Sequence, residues 1–410
     1  MPEKLPSKYI ASAGDIETTY AYDGLGTMQD PFVVEFYEGD SENPMNWSSF
    51  RKSAIAAIVT LSVFAVTFTS SAYSESSIEL MQDLKMGSEI FILGLSLFVL
   101  GFAIGPALWG PLVGLLGVVF VPETYGPVLL TKRANQLSKA NGKVYLSILD
   151  IRQGKKRPSE VFQRALVRPW VLLFQEPIVL VASLYMAIIY GTVYMFMGAM
   201  PFVYNEGRGW SEGTGGLAFL GIAVGIIFGL IYGIWDNHTR YMKLFTSKSA
   251  TAESRLPPAI VGAIALPVGM FAFAWTNSPS IHWSASIILT APFGFGCVIV
   301  ILPIVNYLID SYTIYAASVL AAAAIFRSVV GAVFPLFTTQ MYHNLGIHWA
   351  SSVPAFLALA CVPFPLVMYH HGAALRLKCK YAFEAAELMR KMQIQQVVAS
   401  NQREETDPSG

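Results

Sequence analysis

Few residues of this chain could do chemistry, and they sit among apolar neighbours. Arg327 stands near the middle of the apolar stretch 312–338. A guanidinium stays charged, and charge inside lipid marks a functional position by default. Two readings stay open. Arg327 lines a cavity and senses a solute or a proton-linked carboxylate, or it binds backbone carbonyls or a neighbouring helix end and holds a bundle together. Met186, Tyr190 and Tyr194 recur at spacing four and share one helical face. Such a face can hold organic cations at ~0.5–2 kcal/mol per ring, and the same stripe is also ordinary helix packing. Asn306 either lines a cavity or satisfies a neighbouring backbone. Asp310 falls at the end of an apolar stretch, where it caps the interface or partners a gate. Glu75 at the outer end of the first stretch, and Glu176 at the start of the third, read as solvated rim groups, with Glu75 also a gate or coupling candidate. No carboxylate lies deep in any stretch.

The elements that position these groups are apolar helices. Of 410 residues, 54% are hydrophobic and 13% charged, against about 25% charged in soluble domains, and mean hydropathy is +0.50. A span needs about 20 apolar residues and must close its own backbone hydrogen bonds. Candidates lie near 53–73, 89–111, 174–204, 213–235, 257–276, 283–308, 312–338 and 348–370. The sequence therefore predicts an all-α polytopic membrane bundle of about eight helices. Loop 122–170 carries ten basic residues against three acidic, and loops 277–282 and 339–347 carry no Lys or Arg. Positive charge stays inside, so both termini are expected in the cytosol.

Gly221, Gly225, Gly229 and Gly233 recur every four residues, and Gly101 and Gly105 repeat the device. Both strips are expected to let helices approach closely. Pro267, Pro292, Pro303 and Pro335 are expected to kink later spans. The three cysteines and six histidines form no disulfide framework and no metal-ligand spacing. No phosphate loop and no nucleophile–base pair appears, so no enzyme, no cofactor and no nucleic-acid partner is expected. The expected surroundings are a lipid bilayer. Oligomerisation is possible, with nothing to support it.

One block resists this scheme. Ile90 to Val121 is 32 residues without a charge, about 48 Å as one helix against a ~30 Å hydrocarbon layer. Two spans do not fit, and Trp109-Gly110-Pro111 should break the helix. The block is either one span with a reentrant or interfacial stub, Val113 to Val121, or a join between helices that are not natural neighbours.

Several motifs carry a family resemblance. Asn43-Pro44-Met45-Asn46-Trp47 with Arg51-Lys52 resembles the entry to the first span of fungal drug:proton antiporters. These are members of the major facilitator superfamily and include polyamine and multidrug exporters. Gly94 to Pro106, followed by Leu108-Trp109-Gly110-Pro111-Leu112, resembles their second span. Pro122-Glu123-Thr124-Tyr125 with Pro127 is similar to the exit from their sixth. Arg168-Pro169, Glu176-Pro177 and Tyr190-Gly191 are similar to their seventh. Glu253-Ser254-Arg255-Leu256-Pro257, Asn306-Tyr307 with Asp310, and Phe326-Arg327-Ser328 with Phe334-Pro335 resemble their ninth, tenth and eleventh. The resemblance implies twelve spans in two halves around a central site. It places spans three to five and most of six, roughly 110 residues, as missing between Leu112 and Val113. The implied domains are a cytosolic tail 1–50, a first-half remnant 51–121, a basic cytosolic loop 122–170, a six-helix second half 171–375 and a cytosolic tail 376–410. Both tails are expected to be largely disordered, beyond a short amphipathic helix near 380–395. The implied activity is proton-coupled export of drug-like or cationic solutes, at the plasma membrane rather than the vacuole. The alternative is a non-transporting remnant. Gly198 before Ala199-Met200-Pro201 replaces the acidic residue of some polyamine-type relatives, which argues against polycations.

Overall fold

The computed structural model describes residues 22, 24–37, 39–87, 89–104, 123, 126–147, 150–151, 158–247, 249–388 and 390. Helices dominate because the apolar stretches carry no side chains that could replace a missing backbone partner in lipid. They are α1 Ser49–Glu75, α2 Ser77–Asp83, α3 Glu89–Ile104, α4 Gly126–Asn141, α5 Pro158–Gln175, α6 Pro177–Met200, α7 Leu220–Asp236, α8 Pro257–Thr276, α9 Ala291–Tyr312, α10 Ala316–Cys361 and α11 Pro363–Lys378. Five runs are long and apolar enough to cross a membrane, and the last, Trp283–Lys378, holds 96 residues. At 1.5 Å per residue that run must fold back. It turns at Thr313 (φ 12°, ψ −79°) and at Gly346 (φ 73°, ψ 164°), giving three crossings. Only glycine adopts the Gly346 geometry at ease. The chain is an all-α, multi-pass membrane bundle. Prolines start α6, α8, α9 and α11, where the missing N–H is harmless. Pro292 is one of these starters and kinks nothing, whereas Pro267, Pro303 and Pro335 lie inside helices.

The chain forms two compact units. The first comprises Met1–Val66 and Trp109–Arg164. The N-terminal tail here is folded between Phe32 and Trp47, against expectation. Strand β1 (Phe32–Val34) pairs in parallel with β2 (Tyr145–Ser147), and Val34, Leu130, Ala134, Leu137 and Tyr145 form a small core under α4. The charge pattern explains the order. Asp40, fully buried, accepts from Arg133 at 2.6 Å and from the Glu42 amide at 2.9 Å. That contact raises the Arg133 pKa against the burial that would lower it. A sequence scan that counts charge as solvated misses a pair 93 residues apart. Removing one partner of a buried pair costs about 3–5 kcal/mol. Arg133→Ala should therefore expose the 142–147 segment to trypsin many-fold faster, read by limited proteolysis in detergent.

The second unit comprises Thr67–Leu108 and Ala165–Gly410. Its core runs along α6, α8, α9 and α10, with Tyr185, Ile189, Phe273, Phe293 and Tyr307 almost wholly buried. Glycines set the closest approaches. A Cβ at Gly221 would meet the Ile287 carbonyl, one at Gly225 the Ala291 carbonyl, and one at Gly229 the Phe295 carbonyl at 3.1 Å. Gly233 is looser, 3.4 Å from Ile299. Gly101 departs from expectation. A Cβ there would meet nothing within 4 Å among the described residues, because spacing only permits close approach and a partner helix must supply it. Gly105 and the stub 113–121 lie outside the described residues. Exposed Trp275, Trp283 and Trp349 gather at one end of this unit, as interfacial aromatics do. Ion pairs gather at the other. Residues 380–388 are helical, as the amphipathic pattern suggests.

Candidate functional site

The site is built where α6 and α10 run side by side. Gly191 lets the Phe334 ring approach, about 3.0 Å from where a Cβ would stand, and Gly331 does the same for Tyr190 at 2.8 Å. These two gaps seat Tyr190 against α10. The Arg327 guanidinium then lies 5.2 Å from the Tyr190 ring centroid. Tyr190 and Tyr194 are 3.4 Å apart at their hydroxyls, with rings at 64°. Tyr194 packs with Val99 of α3 and Ala332 of α10 in a cluster separate from the main core.

Arg327 has no hydrogen bond and no ion pair among the described residues, and its buried Nε is unpartnered. Neither the carbonyls nor the helix end of the packing alternative reach it. Arg327 is half-buried, and its cation–π contact with Tyr190 is worth ~0.5–2 kcal/mol. Arg327 thus has unused binding capacity facing an aromatic wall.

The other sequence candidates fall elsewhere. Met186 is 1% exposed in the main core. A four-residue step overshoots a helical turn by about 40°, so the stripe rotates away from Tyr194. Asn306 lines a cavity of about 380 Å³ with Pro303, Asp236, Arg240 and Arg255, away from Arg327. Asp310, one turn on, accepts from Arg255 Nε at 2.9 Å, and Arg255 also stacks 3.7 Å over Tyr241. The Glu75 side chain lies outside the described residues.

The ion-pair end holds what the sequence reading missed. Arg240 binds Asp236 through both oxygens at 2.7 Å, and Arg376 binds Glu253 through both at 2.9 Å. Glu176 is no solvated rim group. It is wholly buried, accepting from the Tyr312 hydroxyl and the Tyr381 amide, each at 2.9 Å. A charged residue between two long apolar runs, followed by a helix-starting proline, was the available signal. Among the described residues no three His, Cys, Asp or Glu side chains gather as a metal site.

Residues 113–335 match the profile of the Major Facilitator Superfamily. The chain belongs to this superfamily. It is 58% identical to the major facilitator-type transporter sorT of Penicillium rubens over 98% of each chain. It is 55% identical to the major facilitator-type transporter sor6 of Hypocrea jecorina, over 92% of this chain and 94% of that one. It is 41% identical to the major facilitator superfamily multidrug transporter mdrA of Aspergillus fumigatus, over all of this chain and 86% of that one. Its relatives are fungal transporters and efflux pumps, and this major facilitator protein is a membrane transporter of solutes by descent. The alignment to sorT runs over 513 positions. Because 98% of 410 residues is about 402, about 111 of those positions have no residue in this chain. For mdrA, 524 positions against 410 residues leave about 114.

Proposed function

We propose that the protein exports small drug-like solutes in exchange for protons, along a path lined by Arg327, Tyr190 and Tyr194. Arg327 carries this reading, as a charge in mid-helix with no partner of its own. A residue that only held the bundle would be satisfied by it. The paired carboxylates Asp236, Glu253 and Asp310 form the cytosolic gate, since helices that rock must break such pairs at one face. The excess of basic residues in the loops supports that face and both termini being cytosolic, and the family resemblance supports the plasma membrane. In proteoliposomes with an imposed pH gradient, a dye panel should show gradient-dependent flux that collapses when a protonophore is added. Flux indifferent to the protonophore removes the proton coupling, and no flux of any dye removes the transport reading.

One observation favours a second reading, in which the chain is a remnant that does not transport. The excess of about 111 alignment positions equals the length of the missing spans. The family match also begins at residue 113, the place of the proposed join. Alternating access needs two halves around the site, and two helices of a first half do not make one. Sequencing the transcript across Leu112–Val113 decides. Message that carries the missing spans restores the first reading for the full-length product.

A further inference from the structure

We infer that the ligand of the Arg327–Tyr190–Tyr194 site is an aromatic anion, an oxyanion carried on a conjugated ring, and not a cation. The inference rests on the transport reading only for the site's place on a solute path. Its basis is the distribution of charge in the second unit. Arg208 donates to the Ser278 and Ile281 carbonyls at 2.6 and 2.9 Å. Arg240, Arg255 and Arg376 each hold a carboxylate. Arg327 and Arg168 have no oxygen partner among the described residues, Arg168 holding only a ring contact with Tyr315, and of the two Arg327 alone has a buried, unpartnered Nε. The carboxylates Glu176, Asp236, Glu253 and Asp310 are already engaged, so none of these four neutralises it.

A guanidinium offers a planar fork of five donors that matches an oxyanion in two-point contact. The tyrosine faces favour offset or edge contact with a second ring. The 5.2 Å seat of Arg327 over Tyr190 presents both features to one ligand. A cationic solute would meet the guanidinium as a like charge in a weakly screened setting. The aromatic pair alone, at ~0.5–2 kcal/mol per ring, does not offset that repulsion. The site therefore selects against the cationic solutes that the family resemblance brings to mind.

Fluorescein and rhodamine 123 share a xanthene ring and differ in charge. Binding of each to the purified full chain in detergent is read by fluorescence anisotropy. Fluorescein should bind roughly tenfold or more tighter than rhodamine 123. Arg327→Gln should abolish that preference, and Arg327→Lys should keep part of it, a point charge without the fork. Where Arg327→Gln gives no monodisperse protein, Arg327→Lys carries the test through a several-fold loss for fluorescein alone. Tighter rhodamine 123 binding, fluorescein binding unchanged in a folded Arg327 variant, or no binding of either dye overturns the inference. Flux in proteoliposomes separates it from the transport reading. Arg327-dependent fluorescein binding without flux of either dye sinks transport and keeps the ligand class. Gradient-driven flux of rhodamine 123 alone does the reverse.

Discussion

Gly225→Ala should lower the melting temperature of the detergent-solubilised protein by several degrees, while Gly101→Ala should leave it unchanged or slightly raised. Two opposed effects set the sign. Alanine favours a helix interior over glycine by about 1 kcal/mol, and both positions gain that. At Gly225 the new methyl would stand on the Ala291 backbone, with its carbonyl oxygen nearest. A backbone carbonyl cannot rotate away as a side-chain tip can, so α7 must shift from α9 along the strip. Forcing extra methyl groups into packed contact costs about 1–3 kcal/mol, occasionally more. Gly294 on α9 faces the Ile222 carbonyl equally closely, which leaves the pair little room to slide. The clash therefore wins at Gly225, and no contact among the described residues opposes the propensity gain at Gly101. Thermal melts by intrinsic fluorescence, run beside size-exclusion profiles, make the comparison. A Gly225→Ala protein that melts at or above wild type would show that α7 and α9 are not held at glycine distance.

The same pair of glycines shows how far the sequence could be read. Spacing four at Gly221 to Gly229 reported a real close approach, because the partner follows within the same chain. The same spacing at Gly101 reported a capacity without a partner, which periodicity cannot tell apart. Glycines that break the pattern, such as Gly269 against the Phe293 amide and Gly296 against Leu266, were invisible because α9 packs on two sides at once. The all-α membrane bundle was legible, since lipid length and hydropathy are local properties, whereas the count was not: about eight spans were expected and five runs are long and apolar enough to cross. The joining of Tyr190 to Arg327 was not, as it depends on α6 and α10, 137 positions apart in the chain. Buried carboxylate contacts were least legible of all. Asp40 with Arg133, and Glu176 with Tyr312, span 93 and 136 residues, and a carboxylate in isolation reads as a solvated one.

Glu176→Ala should release the segment after α11 and unmask Cys379 to maleimide, with a labelling rate many-fold above wild type. One Glu176 oxygen takes the Tyr312 hydroxyl at the end of α9, and the other takes the Tyr381 amide just past α11. The carboxylate thus ties three elements at one buried point. Alanine would leave two donors without acceptors, each costing about 1–3 kcal/mol, beside the void of the lost side chain. Beyond this tie the segment is held by Ala382 and Ala385, both buried, and by the Tyr315–Tyr381 ring contact, none of which satisfies the two freed donors. Arg376 still grips Glu253, but it lies before the turn at Cys379. Tyr315 to Glu384 at 3.0 Å is an exposed contact. Cys379 is 4% exposed, and burial together with the Glu176 carboxylate pushes its thiol up to about 11. A thiol reacts as its thiolate, so at pH 8 the wild-type residue is both covered and almost wholly protonated. Undocking removes both protections at once. Its pKa would then fall toward the ordinary thiol value near 8.5, and reactivity would begin at lower pH. The labelling is done in a Cys297→Ala, Cys361→Ala background, so that Cys379 alone reports. Glu176→Gln separates hydrogen bonding from bulk. Its amide oxygen can serve one of the two donors while its amide nitrogen faces the other, so an intermediate rate is expected. Equal labelling of wild type and Glu176→Ala across pH 7 to 10 would mean that the tail is held by its own helix, and that the buried carboxylate anchors nothing.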